Sequence, residues 1–177
     1  MATTVKFAKC REGAIIPSKR AEDAGFDIYP CFDEEFMIIE PHTTTLIPTG
    51  ICSAFDKDYV FVLKERGSTG TKGIGQRAGI IDSGFRGEWF VPVTNHNNEL
   101  IIIGDKEAYR NSMGDDLFSM VFGDTMANRI VCIPKTKAIC QALLLPVPEV
   151  QVKECSYEDV QGVTSDRGNG CLGSSGK

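Results

Sequence analysis

The sequence predicts one soluble all-β domain, built as a sandwich or a barrel. Short runs of β-branched and aromatic residues recur between turn residues, and helical periodicity is nearly absent. A chain of 177 residues with 42% hydrophobic content can bury one core but is too short for two ordinary domains. The predicted strands are residues 43–48, 59–64, 89–95, 100–103, 129–133, 138–145 and 150–152.

Helix is predicted as a minority element. The two candidates lie within residues 107–124 and, after a capping signal at Ser156, at residues 157–160. We therefore expect helices only as minor additions to the β-structure, without a helical layer.

The domain itself is predicted to span residues 1–163. Within it, residues 97–128 mix polar residues with one apolar patch and are interpreted as an insertion. The insertion is either a variable surface elaboration or a contact surface for a regulatory protein. From residue 164 onward Gly, Ser, Asp and Asn dominate, which predicts a flexible tail over residues 164–177.

Charge and hydropathy exclude several classes of partner. The formal net charge of −5 disfavours nucleic acid, since binding to a phosphate backbone needs many Lys and Arg side chains. No stretch approaches the roughly 20 apolar residues of a membrane helix, and the first residues lack the apolar centre of a signal peptide. We expect a cytoplasmic protein that binds neither nucleic acid nor membranes.

The cysteines predict neither a disulfide framework nor a zinc site. They are odd in number, widely spaced and never form CxxC, so most are expected to be small buried apolar residues. The two histidines, His42 and His96, lie outside any HxE or HExxH pattern. The seven cysteines are Cys10, Cys31, Cys52, Cys132, Cys140, Cys155 and Cys171.

Asp82 lies between an apolar strand and a glycine-containing turn, within residues 79–89. An Asp at the end of a strand commonly caps its own backbone, and the same position can also hold a catalytic base. Both interpretations stay open on this segment alone.

Two glycine-rich segments could bind phosphate groups. Residues 66–73 combine Arg66 and Lys72 with hydroxyl side chains and flexible backbone N–H groups, although their spacing fails the P-loop pattern. Residues 167–177 carry Arg167 on a chain that could close as a lid. The alternatives are a plain glycine-rich turn and a solvated terminus.

Five segments in this order resemble the five motifs of the trimeric dUTPase family, and together they cover nearly the whole chain. The resemblance implies a distorted jelly-roll-like barrel of the β-clip type that forms a homotrimer, with each active site assembled from three subunits and the tail as its lid. It also implies Mg²⁺-assisted hydrolysis of dUTP to dUMP and pyrophosphate by attack of water at the α-phosphorus. The segments are AGFDI at 24–28, residues 66–70, GIIDSGFRGE at 79–88, ICQ at 139–141 and residues 167–176.

The resemblance also implies a role for individual residues. Asp82 would orient and activate the attacking water, and Asp27 would hold water around Mg²⁺. Phe85 stands where the family usually has Tyr and would pack on the deoxyribose, while Gln76 would contact uracil. The other implied substrate-binding residues are Arg66, Gly67, Ser68, Thr69, Ile81 and Gln141 in the domain and Arg167, Leu172, Gly173, Ser174 and Ser175 in the lid.

The sequence departs from the family at other places as well. Gly67 replaces a Ser, Leu172 replaces a Phe that stacks on uracil, residues 135–138 replace Gly-Asp-Arg, and the hairpin at residues 73–79 is short. Two alternatives therefore stay open: a dCTP deaminase of the same fold, and a weakly catalytic, nucleotide-gated regulatory binding protein. Deamination releases ammonia, whereas dUTP hydrolysis releases pyrophosphate, so the products distinguish the enzymes.

Overall fold

The computed structural model describes residues 3–114 and 130–169 of the 177-residue chain. The chain divides into two compact units, Met1–Val147 and Pro148–Lys177. The predicted domain boundary between residues 163 and 164 falls inside the second unit and stays a prediction.

The first unit is built almost entirely from short strands, which confirms the all-β prediction. Two helices interrupt the strands in its described part: α1 at Gly67–Gly70 and α2 at Lys106–Met113. The strands are β1 Lys6–Lys9, β2 Gly25–Ile28, β3 Phe36–Ile39, β4 Thr44–Pro48, β5 Ile51–Ala54, β6 Tyr59–Lys64, β7 Ile74–Gln76, β8 Ile80–Asp82, β9 Phe90–Asn95, β10 Ile101–Gly104, β11 Val131–Ile133 and β12 Cys140–Pro146.

The strands form four small sheets with non-local neighbours. Their orders are β2-β12-β6-β8, β4-β9-β7, β11-β10-β3 and β1-β5. The pairings are antiparallel except for the parallel pair β10 and β11. The order of the first sheet matters for function, because it places β2 and β8 at opposite edges.

Alternation along β6 and β12 separates the core from the outer face of the first sheet. Phe61 and Leu63 of β6 point inward and are 0% and 1% exposed. The Phe61 ring meets the fully buried Trp89 with the ring centroids 5.1 Å apart. Each such aromatic side chain stabilises the fold by about 1.5–3 kcal/mol through burial, so this pair fixes which face of β6 is the inner one.

Several predicted elements need correction. The predicted strand at residues 150–152 is wrong: this segment is irregular, with Val150 and Val152 72% and 95% exposed. Residues 101–103 are 0% exposed in β10, which pairs with β3 and β11. The interpretation of residues 97–128 as an excursion from the core is therefore wrong for this strand. An insertion after Gly104 stays a prediction, and its apolar patch at residues 117–122 lies outside the described residues.

Both predicted helices are present, although α2 begins one residue before the predicted range. The Asp105 carboxylate accepts hydrogen bonds from the N–H groups of Glu107 and Ala108 at the start of α2, and α2 ends before Gly114, whose φ is 77°. In the second unit, α3 at Tyr157–Gln161 begins with a capping box between Ser156 and Asp159. Each of these helices starts where a short polar side chain satisfies the first free N–H groups.

The cysteines are less buried than the sequence predicts. Cys31 and Cys140 are buried, whereas Cys10 and Cys155 are exposed and two others are half-buried, so the expectation that most are buried is wrong. All six cysteines of the described part are free thiols, and Cys171 lies outside it. Burial raises the pKa of the Cys140 thiol far above its usual range. As for membranes, none of the described helices combines the length and the apolar character needed to cross one.

Candidate functional site

A cleft of about 640 Å³ lies at the end of the first sheet where β6 ends. The chain segment before β2, the start of α1 and one residue of β12 form its walls. We call it the Arg66 cleft; its lining residues are Ser18, Lys19, Arg20, Asp23, Ala24, Gly25, Asp27, Arg66, Gly67, Ser68 and Gln141.

Arg66 is the last extended residue before α1, and its conformation is fixed by Thr69. The Arg66 N–H donates to the Thr69 hydroxyl at 3.2 Å, and that hydroxyl donates to the Arg66 carbonyl at 3.1 Å. The predicted flexible glycine-rich loop is therefore a single capped helical turn. Thr69 is 7% exposed, so its side chain positions Arg66, and the substrate contact predicted for Thr69 stays a prediction.

The guanidinium group of Arg66 is held by contacts from β2 and from the segment before β12. Its Nε lies 3.1 Å from Oδ1 of Asp27, and its Nη2 donates to Oδ2 of Asp27 at 3.4 Å. Its Nη1 donates to the carbonyl of Ala138 at 3.2 Å. An arginine side chain has five N–H groups, so these two hydrogen bonds and the ion-pair contact orient the guanidinium and leave further donors for an anion in the cleft.

Gln141 and Gly25 meet on the wall of the same cleft. The side-chain amide of Gln141 donates to the carbonyl of Glu65 at 2.8 Å. A Cβ atom on Gly25 would lie 2.5 Å from Oε1 of Gln141, so only glycine leaves space for this side chain. This contact gives a physical reason for the glycine in the AGFDI segment.

Asp82 ends β8 and is exposed, while the neighbouring Ile81 is 8% exposed and packs in the core. The turn after the strand is closed by the Asp82 carbonyl, which accepts from Phe85 N at 3.0 Å. Within the described residues the Asp82 carboxylate has no hydrogen-bond partner, so the interpretation as a backbone cap is wrong. The side chain of Ile81 has a core position, and the substrate contact predicted for Ile81 stays a prediction.

Phe85 stands in the exposed loop of residues 82–88, which we call the Asp82 loop. Its ring is 43% exposed and lies against Gly87, where an added Cβ would stand 2.7 Å from Cζ of the ring. The loop ends at Glu88, whose Oε1 accepts from Arg11 Nε at 2.8 Å and from Gly50 N at 2.9 Å. The exposed ring therefore sits on a loop with a fixed end.

Gln76 ends β7 within the predicted hairpin at residues 73–79. β7 pairs with β9 and β8 pairs with β6, so the two strands do not form a paired hairpin, and we keep the word hairpin for the turn between them. Its backbone N–H donates to the Glu65 carboxylate at 2.9 Å, and its side-chain amide donates to the Arg77 carbonyl at 3.2 Å. The turn contains two residues with positive φ, Ala78 at 49° and Gly79 at 95°. A Cβ on Gly79 would approach Cβ of Leu63 to 2.9 Å, so this short hairpin lies directly on β6.

One chain places Asp82 far from the Arg66 cleft. Asp27 is opposite Gln141, which is opposite Lys64, whereas Asp82 is opposite Val60. Three strand spacings of about 4.8 Å and four residues of about 3.3 Å put the two carboxylates roughly 20 Å apart. The structure thus brings together Asp27, Arg66, Gly67, Ser68 and Gln141, and it holds Asp82 and Phe85 apart from them.

The predicted lid is described only in part. Arg167 is exposed in the second unit, and its backbone N–H donates to the Ser165 hydroxyl at 3.3 Å. The predicted lid residues Leu172, Gly173, Ser174 and Ser175 lie outside the described residues.

The sequence analysis missed charged residues that the structure places at the Arg66 cleft. Lys19 donates to the Asp23 carbonyl at 2.7 Å, and Arg20 pairs with Asp23 at 2.8 Å on the rim. Glu65 was missed as well, although it precedes a predicted site residue. A cluster of charges directly before AGFDI was the available signal for the rim, whereas no sequence pattern connects Glu65 with Gln76.

The segment that replaces Gly-Asp-Arg also has a structural role. Lys135 donates to the carbonyls of Phe32, at 2.9 Å, and Glu34, and its ammonium lies 4.1 Å from the Phe32 ring centroid. Ala138 supplies the carbonyl that orients Arg66. The backbone of this segment therefore supports the cleft without the usual ionic side chains.

Comparison with known proteins points to one family. The family model described as dUTPase matches residues 11–108. The deoxyuridine 5'-triphosphate nucleotidohydrolase of Leptospira interrogans is 33% identical over 54% of this chain and 68% of its own length. That of Nautilia profundicola is 28% identical over 98% and 99%. The solved structure of Staphylococcus bacteriophage 80alpha dUTPase with dUPNHPP matches 98% of this chain and 99% of its own with a TM-score of 0.70 at 22% identity, which confirms the predicted fold.

Proposed function

Since the chain belongs to the dUTPase family and hydrolyses dUTP to dUMP and pyrophosphate, we propose that Asp82 orients the attacking water and that Arg66 and Ser68 bind the phosphates. The observation that carries this proposal is the division of one chain into two half-sites. The Arg66 cleft offers cations and hydroxyl groups, whereas the Asp82 loop offers a carboxylate and an exposed aromatic ring.

The Arg66 cleft suits the triphosphate. Arg66 is oriented by Asp27 before any ligand binds, so little ordering of its side chain is needed. The first N–H groups of a helical turn have no acceptor within it, which leaves the backbone of Gly67 and Ser68 for phosphate oxygens. No atom lies within 4 Å of a Cβ added at Gly67, so this position leaves open space where the family often has Ser.

The Asp82 carboxylate performs the proton chemistry in this proposal. One of its oxygens accepts a hydrogen bond from the attacking water, aims the water oxygen at the α-phosphorus and takes up its proton. The bond to the leaving pyrophosphate breaks as the new bond forms. Phe85 packs on the deoxyribose, where it leaves no space for a 2′-hydroxyl, and Gln76 with the adjacent turn contacts uracil.

Asp27 is the residue that we assign to Mg²⁺, through water. In the described residues, no three His, Cys, Asp or Glu side chains are grouped to hold a metal ion directly. Asp27 lines the cleft and its side chain is 35% exposed. Its Oδ2 accepts a hydrogen bond from Arg66 and its Oδ1 lies 3.1 Å from Arg66 Nε, so each oxygen can accept a further bond from metal-bound water. This fits a hydrated ion that a triphosphate carries, and such an ion supplies charge neutralisation at the phosphates.

The assignment of Asp27 predicts a metal-specific defect. The Asp27→Asn variant should need a several-fold higher Mg²⁺ concentration for half-maximal rate, because a neutral amide accepts more weakly from metal-bound water. Titrating Mg²⁺ at saturating dUTP measures this shift. If the rate fell while the Mg²⁺ requirement stayed unchanged, Asp27 would act only by orienting Arg66 and would have no role toward Mg²⁺.

We further propose that three chains form a trimer that completes the site. The outer face of the first sheet carries Val60, Val62, Leu143, Leu145 and Ile80, and the last two are 42% and 59% exposed. This apolar face extends from Asp82 at one edge of the sheet to Asp27 at the other. A second subunit packed on this face can therefore place its Asp82 loop beside the Arg66 cleft of the first subunit. Light scattering should give three times the 19.3 kDa chain mass, and a mass of one chain would contradict the proposal.

The tail is proposed as the lid of this site. Arg167, Leu172, Gly173, Ser174 and Ser175 would close over the bound nucleotide, with Arg167 on the phosphates. Deleting residues 164–177 should raise the KM for dUTP. A cytoplasmic location and a regulatory partner for the segment after Gly104 stay predictions.

Pyrophosphate release from dUTP with Mg²⁺ tests the proposed roles. The Asp82→Asn variant should lower kcat by about 10²–10⁴-fold while it still binds dUTP, because only the base is lost. The matched control is Asp58→Asn, at an exposed turn, and should keep full activity. Parallel assays with dCTP, dTTP and UTP measure selectivity. Ammonia release from dCTP would indicate the deaminase alternative, and binding without turnover would indicate the nucleotide-gated protein.

A further inference from the structure

Glu65 connects three segments of the candidate site although no role has been assigned to it. It lies between the end of β6 and Arg66. We propose that Glu65 is a positioning residue that sets selectivity for the base by fixing the hairpin turn at Gln76 to the segment that carries Arg66. This inference rests on the proposed function, in which the hairpin contacts uracil and Arg66 contacts phosphate.

The carboxylate of Glu65 holds the hairpin directly. Its Oε1 accepts the backbone N–H of Gln76 at 2.9 Å, across 11 residues of sequence. The side chain is 30% exposed, and its Cβ would lie 3.4 Å from a Cβ added at Gly70 of α1. Glu65 is thus packed between α1 and β7, which limits the positions its carboxylate can take.

The main chain of Glu65 holds the other half of the site. Its carbonyl accepts the side-chain amide of Gln141 at 2.8 Å. The N–H groups of its own backbone and of Gln76 lower the pKa of the Glu65 carboxyl, with a further contribution from Lys64, so it stays charged at neutral pH. One residue therefore meets the hairpin through its side chain and the Arg66 cleft through its backbone.

The bond from the Gln76 N–H to Glu65 joins the hairpin to another segment through a side chain. Arg77 N donates to the Pro92 carbonyl at 3.1 Å and Leu63 N donates to the Gly79 carbonyl at 2.8 Å, and both of these bonds join backbone groups. The turn between them contains Ala78 at φ 49°, a conformation that a non-glycine residue keeps only when its surroundings hold it. Loss of the Glu65 acceptor would free the first residue of this turn.

Arg66 does not depend on the same bond. Its guanidinium is held by Asp27 and the Ala138 carbonyl, and its backbone is held by Thr69. Removing the Glu65 carboxylate should therefore disturb recognition of the base and leave recognition of phosphate intact. A general loss of structure would disturb both.

The experiment compares Glu65→Ala, which removes the acceptor, with Glu65→Gln, which keeps an acceptor oxygen. The ratio of kcat/KM for dUTP to that for dCTP should fall about five- to tenfold in Glu65→Ala, a size typical of one hydrogen bond, and stay within about twofold of wild type in Glu65→Gln. Competitive inhibition by inorganic tripolyphosphate should be the same in all three proteins. Glu107→Ala, on the exposed face of α2, is the control.

Hydrogen exchange provides a readout of the bond itself. Exchange of the Gln76 amide should accelerate in Glu65→Ala and not in Glu65→Gln. An unchanged selectivity ratio despite faster exchange would overturn the proposal, and so would an equal weakening of tripolyphosphate and dUTP. If the wild-type chain released no pyrophosphate from dUTP, the proposed function itself would fail, and this result is seen before any variant is compared.

Discussion

Arg66 and Asp27 form a two-point contact that joins the end of β6 to β2. The Nε to Oδ1 distance is 3.1 Å and the Nη2 to Oδ2 distance is 3.4 Å, and the two side chains are 32% and 35% exposed. Such a geometry needs the planar fork of a guanidinium, which a lysine ammonium cannot reproduce. The contact orients Arg66 toward the cleft, so its contribution should depend on shape as well as charge.

Substitution of Arg66 should reduce catalysis more than substrate affinity. We expect Arg66→Ala to lower kcat by about 10²–10³-fold, the usual effect of losing an oriented donor to developing negative charge. Arg66→Lys should recover less than a tenth of the lost rate, because the fork is missing. Steady-state kinetics with dUTP measure both, and Lys57→Ala at an exposed position is the control. Full activity in Arg66→Lys would show that charge alone suffices.

The contact between Phe85 and Gly87 predicts a change in sugar selectivity. A Cβ at position 87 would stand 2.7 Å from the end of the Phe85 ring, so Gly87→Ala should push the ring from the position in which we propose that it packs on the deoxyribose. We expect the dUTP to UTP ratio of kcat/KM to narrow by about tenfold. Gly84→Ala is a matched control in the same loop, because no atom lies within 4 Å of its added Cβ. If Gly84→Ala narrowed the ratio as much as Gly87→Ala, the cause would be a change in loop flexibility and not displacement of the Phe85 ring.

The sequence alone predicted strands in which apolar and polar residues alternate over several positions. It also predicted site segments whose residue types indicate a particular chemistry. Residues 59–64 were predicted as a strand with the bounds that β6 has, and Asp82 stands at the end of β8 with an unpaired carboxylate, among the described residues. The strands β1, β2, β3, β5 and β7 were not predicted. Each has only three or four residues, and its pairing depends on a partner elsewhere in the chain.

The same limit explains the missed site residues. The carboxylate of Glu65 is defined by its hydrogen bond with Gln76, which is 11 residues away. The side chain of Arg11 is likewise defined by its hydrogen bond with Glu88, 77 residues away. Thr69 and Ile81 were predicted to touch substrate because of their neighbours in sequence, yet both side chains are buried. A local pattern identifies residue types, whereas the direction of a side chain is decided by packing against distant segments.

Glu88 should make the fold sensitive to acid. Partial burial raises the pKa of its carboxyl, but the hydrogen bonds from Arg11 and Gly50 outweigh this effect and the pKa lies below its usual range. A carboxyl with a lower pKa in the folded chain stabilises it above the unfolded value of about 4.3, and this stabilisation is lost as the pH falls through the folded pKa. Tm should therefore decline as the pH falls below about 5.

The variant Glu88→Gln tests this assignment. At pH 7 it should lower Tm by about 2–4 °C, because a neutral amide accepts more weakly from Arg11, and its Tm should then change less with acid than that of wild type. Glu107→Gln, on exposed α2, serves as the control. If the wild type and Glu88→Gln had parallel Tm profiles from pH 7 to pH 3, Glu88 would not be a source of the acid sensitivity.

The separation of Asp82 from Arg66 can be tested by mixing subunits. The two corners of the first sheet are roughly 20 Å apart in one chain, so the proposed trimer would take Asp82 of each site from one subunit and Arg66 from another. Asp82→Asn and Arg66→Ala are each expected to be inactive alone. After they are unfolded and refolded together in equal amounts, random assembly should place both intact residues in about one quarter of the sites of a trimer. Pyrophosphate release should then recover to about that fraction of wild type, while the same proteins mixed without unfolding stay inactive. If each site were built within one chain, no combination of these subunits could hold both residues, and co-refolding would restore nothing.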